Sequence, residues 1–95
     1  MYAWTITKVG DTDDSKFMGI VGPSTATLTA EDIKNHAEKK KFRLMYDDRE
    51  DGYAAEGLYV GPDDESLFGP LDDFGTPNWG CTTIQYWENG KWTTT

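Results

Sequence analysis

The stretch that decides the fold is TTIQYWENGKWT, residues 82–93. In it Thr82, Ile84 and Tyr86 alternate with their neighbours, which is the period-two pattern of a half-buried β-strand. Asn89-Gly90 follows, and this pair is preferred in type I′ turns because both central residues need a positive φ. The stretch therefore predicts an antiparallel hairpin, with the residues after the turn as its second strand.

Four more strands are predicted upstream of the hairpin. They cover residues 2–7, 17–21, 42–46 and 53–60. Turn residues, chiefly Gly, Pro and Asp, separate most of these segments. Six strands, mostly joined by hairpins, are therefore expected.

A single helix is predicted, and it begins at Thr29. Thr29 is the expected N-cap, and Asp32 three residues later completes a variant of the capping box. Lys39 to Lys41 mark its end, where cations complement the helix macrodipole. The apolar stripe of this helix is thin, so we expect it to cover a sheet rather than to organise a core.

The segment 66–80 is predicted to lack regular structure. Gly69-Pro70, Gly75 and Pro77 interrupt it, and such residues mark turns and loops. It also carries four large apolar side chains, which predict an ordered, packed loop; these are Leu67, Phe68, Leu71 and Phe74.

These patterns together predict one domain, residues 1–95, of the α+β class and mostly β. We expect a strongly bent antiparallel sheet, or a small open barrel, of about six strands with one short helix packed on it. A chain of 95 residues is small for independent folding, but its 13 aromatic side chains bury large areas.

Charge is concentrated in one part of the chain. Between Met45 and Gly75 there are ten carboxylates and one cation, Arg49, so this segment carries −9 against −8 for the whole chain. Five aromatic residues are interleaved with the carboxylates, whereas disordered acidic tails have few. The segment predicts a folded acidic surface that attracts basic partners and repels nucleic acid and anionic membranes.

Catalytic and metal-binding residues are scarce. One Cys, Cys81, and one His, His36, cannot complete a zinc site, and we do not expect them to form a catalytic pair. Two acidic loops depart from the calcium-loop pattern, because Lys16 replaces the Gly of one and Arg49 occupies a ligand position of the other. We therefore expect neither enzymatic activity nor a metal or cofactor.

The lone Cys81 suits a reducing compartment, since it has no partner for an intramolecular disulfide. No charged-then-apolar leader and no apolar run of membrane-spanning length is found in the sequence. A cytoplasmic protein without a membrane partner is expected, and its oligomeric state stays open.

Four runs carry a resemblance to a known group. They are residues 4–8 (WTITK), 69–78 (GPLDDFGTPN), 80–82 (GCT) and 90–92 (GKW). With these runs the chain resembles small uncharacterised acidic proteins of bacteria and their phages, over most of its length. The resemblance implies a compact standalone protein and no catalytic residues. It also keeps phage-encoded inhibitors, such as anti-CRISPR proteins, among the functions considered.

The sequence favours a small acidic protein-binding module. In its specific form, it is an inhibitor that occupies the basic nucleic-acid site of a DNA- or RNA-handling enzyme, without binding nucleic acid itself. Two alternatives stay open: a small ligand-binding protein or enzyme with a pocket under the Leu67–Trp79 loop, and a structural acidic protein without a specific partner. The expected partner-binding residues are Asp47, Asp48, Glu50, Asp51, Asp63, Asp64, Glu65, Asp72, Asp73 and Phe74.

Overall fold

Six strands form one antiparallel sheet in the computed structural model, which describes residues 2–10, 15–46 and 53–95. The strands are β1 (Ala3–Val9), β2 (Val21–Gly22), β3 (Lys40–Met45), β4 (Ala55–Val60), β5 (Thr83–Glu88) and β6 (Lys91–Thr94). Their order across the sheet is β2-β1-β4-β3-β5-β6, and the two outer strands do not pair with each other. The predicted class is confirmed, as an open sheet with a helix packed on it.

The hairpin of β5 and β6 is confirmed in detail. Asn89 has a φ of 54° and Gly90 a φ of 81°, the two positive values that a type I′ turn requires. Trp87 pairs with Trp92 across the hairpin, and Glu88 pairs with Lys91 beside the turn. The turn therefore fixes the register of the last two strands.

The prediction of an irregular loop over 66–80 is wrong, because residues 65–79 form one bent helix of 15 residues. It begins as a 3₁₀ turn (Glu65–Phe68), passes through a π turn (Leu71–Gly75) and ends as an α turn (Thr76–Trp79). The changes in hydrogen-bond spacing along the segment accompany the bend.

Pro and Gly do not break this helix, for identifiable reasons. Pro70 has φ −59° and ψ −34°, and Gly69 has φ −51° and ψ −52°, both helical. Pro77 is among the first residues of the α segment, directly after the π turn, where the hydrogen-bond spacing of the helix changes. The helix ends at Gly80, whose φ of 68° is the left-handed value that glycine adopts without a steric penalty.

Three other elements differ from their predicted bounds. The helix α1 spans Ala30–Lys34 with the predicted capping box between Thr29 and Asp32, but it is shorter than expected. β3 already begins at Lys40, which pairs with Tyr59 of β4. In place of the strand predicted over 17–21, a 3₁₀ turn (Ser15–Phe17) precedes the two-residue strand β2.

The core lies between the bent helix and one face of the sheet. The sheet contributes Trp4, Ile6, Phe42, Leu44, Ala55, Tyr59, Ile84 and Tyr86, and the helix contributes Leu67, Leu71 and Phe74. A buried hydrogen bond of 2.6 Å from the Tyr86 hydroxyl to the Leu67 carbonyl joins the two layers. Ile33 of α1 is buried but is not part of this cluster, and α1 contacts β1 and β4. We infer that α1 covers the opposite face of the sheet.

Gly57→Ala is expected to lower the free energy of unfolding by about 2 kcal/mol, because overpacking a core forces its neighbours to move. A methyl group on Gly57 would clash with the carbonyl oxygen of Thr5 and the ring of Phe42. Thr93→Ala, on the exposed strand β6, is the control and should change stability by less than about 0.5 kcal/mol. Equal stabilities of the two variants in urea unfolding would contradict this packing.

Candidate functional site

Five carboxylates of the expected site are exposed and lie on or beside the bent helix. They are Asp63, Asp64, Glu65, Asp72 and Asp73, and we call them the acidic surface. Asp63 and Asp64 precede the helix, and Asp72 and Asp73 lie in its π turn. The other expected carboxylates, Asp47, Asp48, Glu50 and Asp51, lie outside the described residues.

Two tyrosines bring the parts of the acidic surface together. Tyr2 stacks on Tyr59 with ring centroids 6.0 Å apart. The Tyr2 hydroxyl donates to Asp73 at 2.6 Å, and the Tyr59 hydroxyl donates to the carbonyl of Pro62 at 2.7 Å. A side chain at Gly69 would collide with the Tyr2 ring, so the helix backbone lies directly against that ring. The tyrosine pair thus connects the residues before the helix with its middle.

Asp73 is the most constrained carboxylate of the acidic surface. Its Oδ2 atom accepts from the Tyr2 hydroxyl and also from the indole Nε1 of Trp4, at 3.2 Å. Both donors belong to the start of the chain, and Asp73 belongs to the bent helix. These two hydrogen bonds therefore fix the helix to the β1 region of the sheet.

The tyrosine pKa values report the same arrangement. Burial, the hydrogen bond to Asp73 and the charges of Asp73 and Asp72 raise the pKa of Tyr2 from 10.0 to about 12. Burial, together with the charges of Asp64 and Asp63, raises the pKa of Tyr59 to about 12. Each carboxylate pair therefore acts on one ring of the stacked tyrosine pair.

Asp64 also stabilises the start of the helix. It is the N-cap, and its carboxylate accepts from the backbone N–H of Ser66 at 2.8 Å. This hydrogen bond lowers the pKa of Asp64. Reversal of the charge at Asp64 would consequently disturb the fold as well as the surface.

The outer side of the bent helix presents charge and one aromatic ring. Glu65, Phe68, Asp72 and Thr76 are all exposed and are three or four residues apart, so they lie along one side of the helix. The Phe68 side chain is 37% exposed. Sequence reasoning missed Phe68 as a surface residue because it assigned the whole segment to a packed loop.

Phe74, expected to contact a partner, is buried instead, with 4% of its surface exposed. Its ring packs against Trp4, Phe17 and Trp79, with centroid distances of 5.4, 5.0 and 4.9 Å. Phe74 therefore supports the acidic surface from beneath, and its expected contact with a partner stays a prediction.

Most of the cations near the sheet are directed away from the acidic surface. In the part of the chain that the structure describes, Lys40 alone forms an ion pair with the surface, to Asp63 at 3.4 Å. Lys41 pairs with Glu56 at 3.6 Å, and the Arg43 guanidinium lies 4.5 Å from the centroid of the Trp92 ring. Because side chains of a strand alternate between faces, Lys41 and Arg43 occupy the face opposite the bent helix.

A cleft lies where the bent helix meets β1 and β2. Its volume is about 390 Å³, and it is lined by Trp4, residues 20–24, Asp73 and Phe74. The sequence leaves open a pocket under the Leu67–Trp79 loop, for which Trp79, Phe74 and Tyr59 are the aromatic walls that it offers. Of these, Phe74 alone lines the cleft.

The thiol of Cys81 is buried, and burial raises its pKa to about 11. It is therefore protonated near neutral pH and is a weak nucleophile. No group of three metal-ligating side chains occurs in the described ranges. These ranges omit most of the two acidic loops whose sequences were compared above with the calcium-loop pattern.

Comparison with protein-family models, curated proteins and solved structures finds no match to this chain. The resemblance to small acidic proteins of bacteria and phages thus remains a prediction. Within residues 2–10, 15–46 and 53–95, no helix has the length and apolar character to cross a membrane.

Stability is expected to fall as the pH rises from about 10 to about 12. Unfolded tyrosines ionise near pH 10.0, whereas folded Tyr2 and Tyr59 keep their protons until about pH 12. The raised folded pKa values therefore contribute stability that is complete below pH 10 and is lost above it. Urea unfolding at several alkaline pH values measures this loss.

The variant Tyr2→Phe/Tyr59→Phe is the control for this pH dependence. It lacks both hydroxyls but retains every lysine, so its stability should decline less steeply over the same pH range. Identical slopes for the variant and the natural chain would show that the two tyrosines are not responsible.

Proposed function

We propose that the chain is a small, non-enzymatic protein-binding module whose acidic surface binds a basic protein surface. The observation that carries this proposal is the side of the bent helix formed by Glu65, Phe68, Asp72 and Thr76. It combines carboxylates with an exposed aromatic ring on a regular element, where side chains keep fixed relative positions.

Electrostatics supports a basic partner. The carboxylates of Glu65 and Asp72 form no ion pair with any cation that the structure describes, so their charges are not neutralised locally. The chain as a whole carries −8. Such a field attracts positively charged surfaces over several ångströms and accelerates their encounter, with a strong dependence on salt.

Phe68 supplies an apolar contact within this charged surface. Partly exposed aromatic residues surrounded by polar groups often anchor protein interfaces, because their burial excludes water from neighbouring contacts. The carboxylates then select a basic partner and accelerate its encounter with the chain, and the Phe68 ring contributes affinity.

The narrower proposal is that the partner site normally binds DNA or RNA. Carboxylates repeated along a helix imitate a row of phosphates, so the acidic surface would compete with nucleic acid for one basic groove. An anti-defence role in a phage rests on the sequence resemblance alone.

A second candidate is a small-ligand binder, and the cleft at Trp4 and Asp73 favours it. A structural acidic protein without a specific partner is the third. Salt-sensitive binding of a protein through the acidic surface would distinguish the protein-binding module from the small-ligand binder and from the structural protein.

The test uses the double variant Glu65→Lys/Asp72→Lys. Natural and variant proteins are immobilised, basic proteins are captured from a cell lysate, and each captured protein is then purified and its affinity measured. We expect a nucleic-acid-binding protein whose affinity falls at least about tenfold in the double variant, since like charges then face each other. Added duplex DNA or RNA should release it from the natural chain.

Glu38→Lys/Glu88→Lys is the control with the same change in net charge, because both residues are exposed and lie outside the acidic surface. It should retain the captured protein. Equal affinity of the double variant and the control would refute the role of the acidic surface. Retention in the presence of excess nucleic acid would refute the competition.

A further inference from the structure

The cleft beside the bent helix contains one fixed negative charge. Of the described residues that line its volume of about 390 Å³, Asp73 alone is charged. The remaining lining is mainly apolar, including Trp4, Ile20, Pro23 and Phe74. A single carboxylate among apolar walls is a setting in which an organic cation is bound more strongly than at an open surface.

The carboxylate of Asp73 is oriented before any ligand arrives. Both of its hydrogen bonds, from Tyr2 and from Trp4, end on Oδ2. Its Oδ1 atom accepts no hydrogen bond from the described residues. One oxygen therefore fixes the side chain, and the other is available to accept from a ligand. A group that is already ordered loses little conformational entropy on binding.

The apolar lining suits the stem and the planar head of a guanidinium side chain. Ile20 is 38% exposed although it is a large apolar residue, so a ligand stem would cover it. A guanidinium is weakly hydrated and packs on aromatic and apolar surfaces, whereas an ammonium is strongly hydrated. The lining therefore favours guanidinium over ammonium.

We propose that the cleft binds the guanidinium of an arginine side chain presented by the basic partner, with Asp73 as its counter-ion. This inference rests on the proposed function, because it assigns the place where that partner is anchored. The acidic surface attracts the partner, and the cleft receives one of its side chains.

The test uses ethylguanidinium as the probe and the indole N–H signal of Trp4 in ¹⁵N-resolved NMR as the readout. Trp4 shares Oδ2 of Asp73 with Tyr2, so its signal should move when Asp73 binds a cation. We expect a saturable shift with ethylguanidinium, and none with the neutral analogue ethylurea or with sodium chloride at equal ionic strength.

Asp73→Asn should weaken binding of the probe about tenfold, because a charge-assisted hydrogen bond is lost. Asp72→Asn removes the neighbouring charge outside the cleft and should retain most of the affinity. Dispersed amide signals verify that each variant is folded. If Asp73→Asn does not fold, the titration of the natural chain decides the proposal by itself.

A Trp4 signal that does not shift saturably, or that shifts equally with ethylurea, would overturn the proposal. So would an equal affinity of the Asp73→Asn variant. These results are independent of the capture experiment. If ethylguanidinium does not bind the cleft but a basic partner is still captured in a salt-sensitive way, this inference alone is refuted. If ethylguanidinium binds but no basic partner is captured, the proposed function is refuted.

Discussion

The hydrogen bonds that the carboxylate of Asp73 accepts are the interaction on which the site described above depends. This carboxylate accepts from Tyr2 and Trp4 at one oxygen, and so fixes the middle of the bent helix to the beginning of the sheet. Tyr2 also stacks on Tyr59, whose hydroxyl is bound to the chain just before the helix. Together with the core packing and the Tyr86–Leu67 hydrogen bond, the Asp73 side chain positions the helix beside the cleft and near the other surface carboxylates.

The arrangement of layers separates charge of opposite sign. The bent helix covers one face of the sheet and directs Glu65 and Asp72 outward. The other face carries Arg43 against Trp92, whose ring lies 5.3 Å from that of Trp87. This cation–aromatic cluster follows from cross-strand pairing, since Trp87 and Trp92 are direct partners. Because the sheet separates Arg43 from the acidic surface, the carboxylates of that surface keep most of their negative electrostatic field.

Local chemistry made much of this fold predictable from the sequence. Asn89-Gly90 specified its turn, Thr29 and Asp32 specified the start of α1, and alternation located most of the strands. The bent helix was missed because Gly69, Pro70 and Pro77 were weighed more heavily than the spacing of Leu67, Leu71 and Phe74. That spacing is the helical signal, and Pro70 and Pro77 are accommodated where the hydrogen-bond spacing changes along the helix.

The site was predictable in composition but not in geometry. A charge count located Asp63 to Glu65 and Asp72 to Asp73, yet burial decides that Phe74 is internal and that Phe68 is external. Contacts between residues 2 and 73 depend on tertiary packing, which no local pattern encodes. The cleft has the same origin, because its walls come from β1, β2 and the helix.

The central claim is that Asp73 and Tyr2 fix the bent helix to the sheet. A double-mutant cycle with Tyr2→Phe, Asp73→Asn and their combination measures this coupling from the free energies of urea unfolding. We predict a coupling of about 1 kcal/mol, since the hydrogen bond is charge-assisted but exposed. Strictly additive effects of the two substitutions would contradict the account.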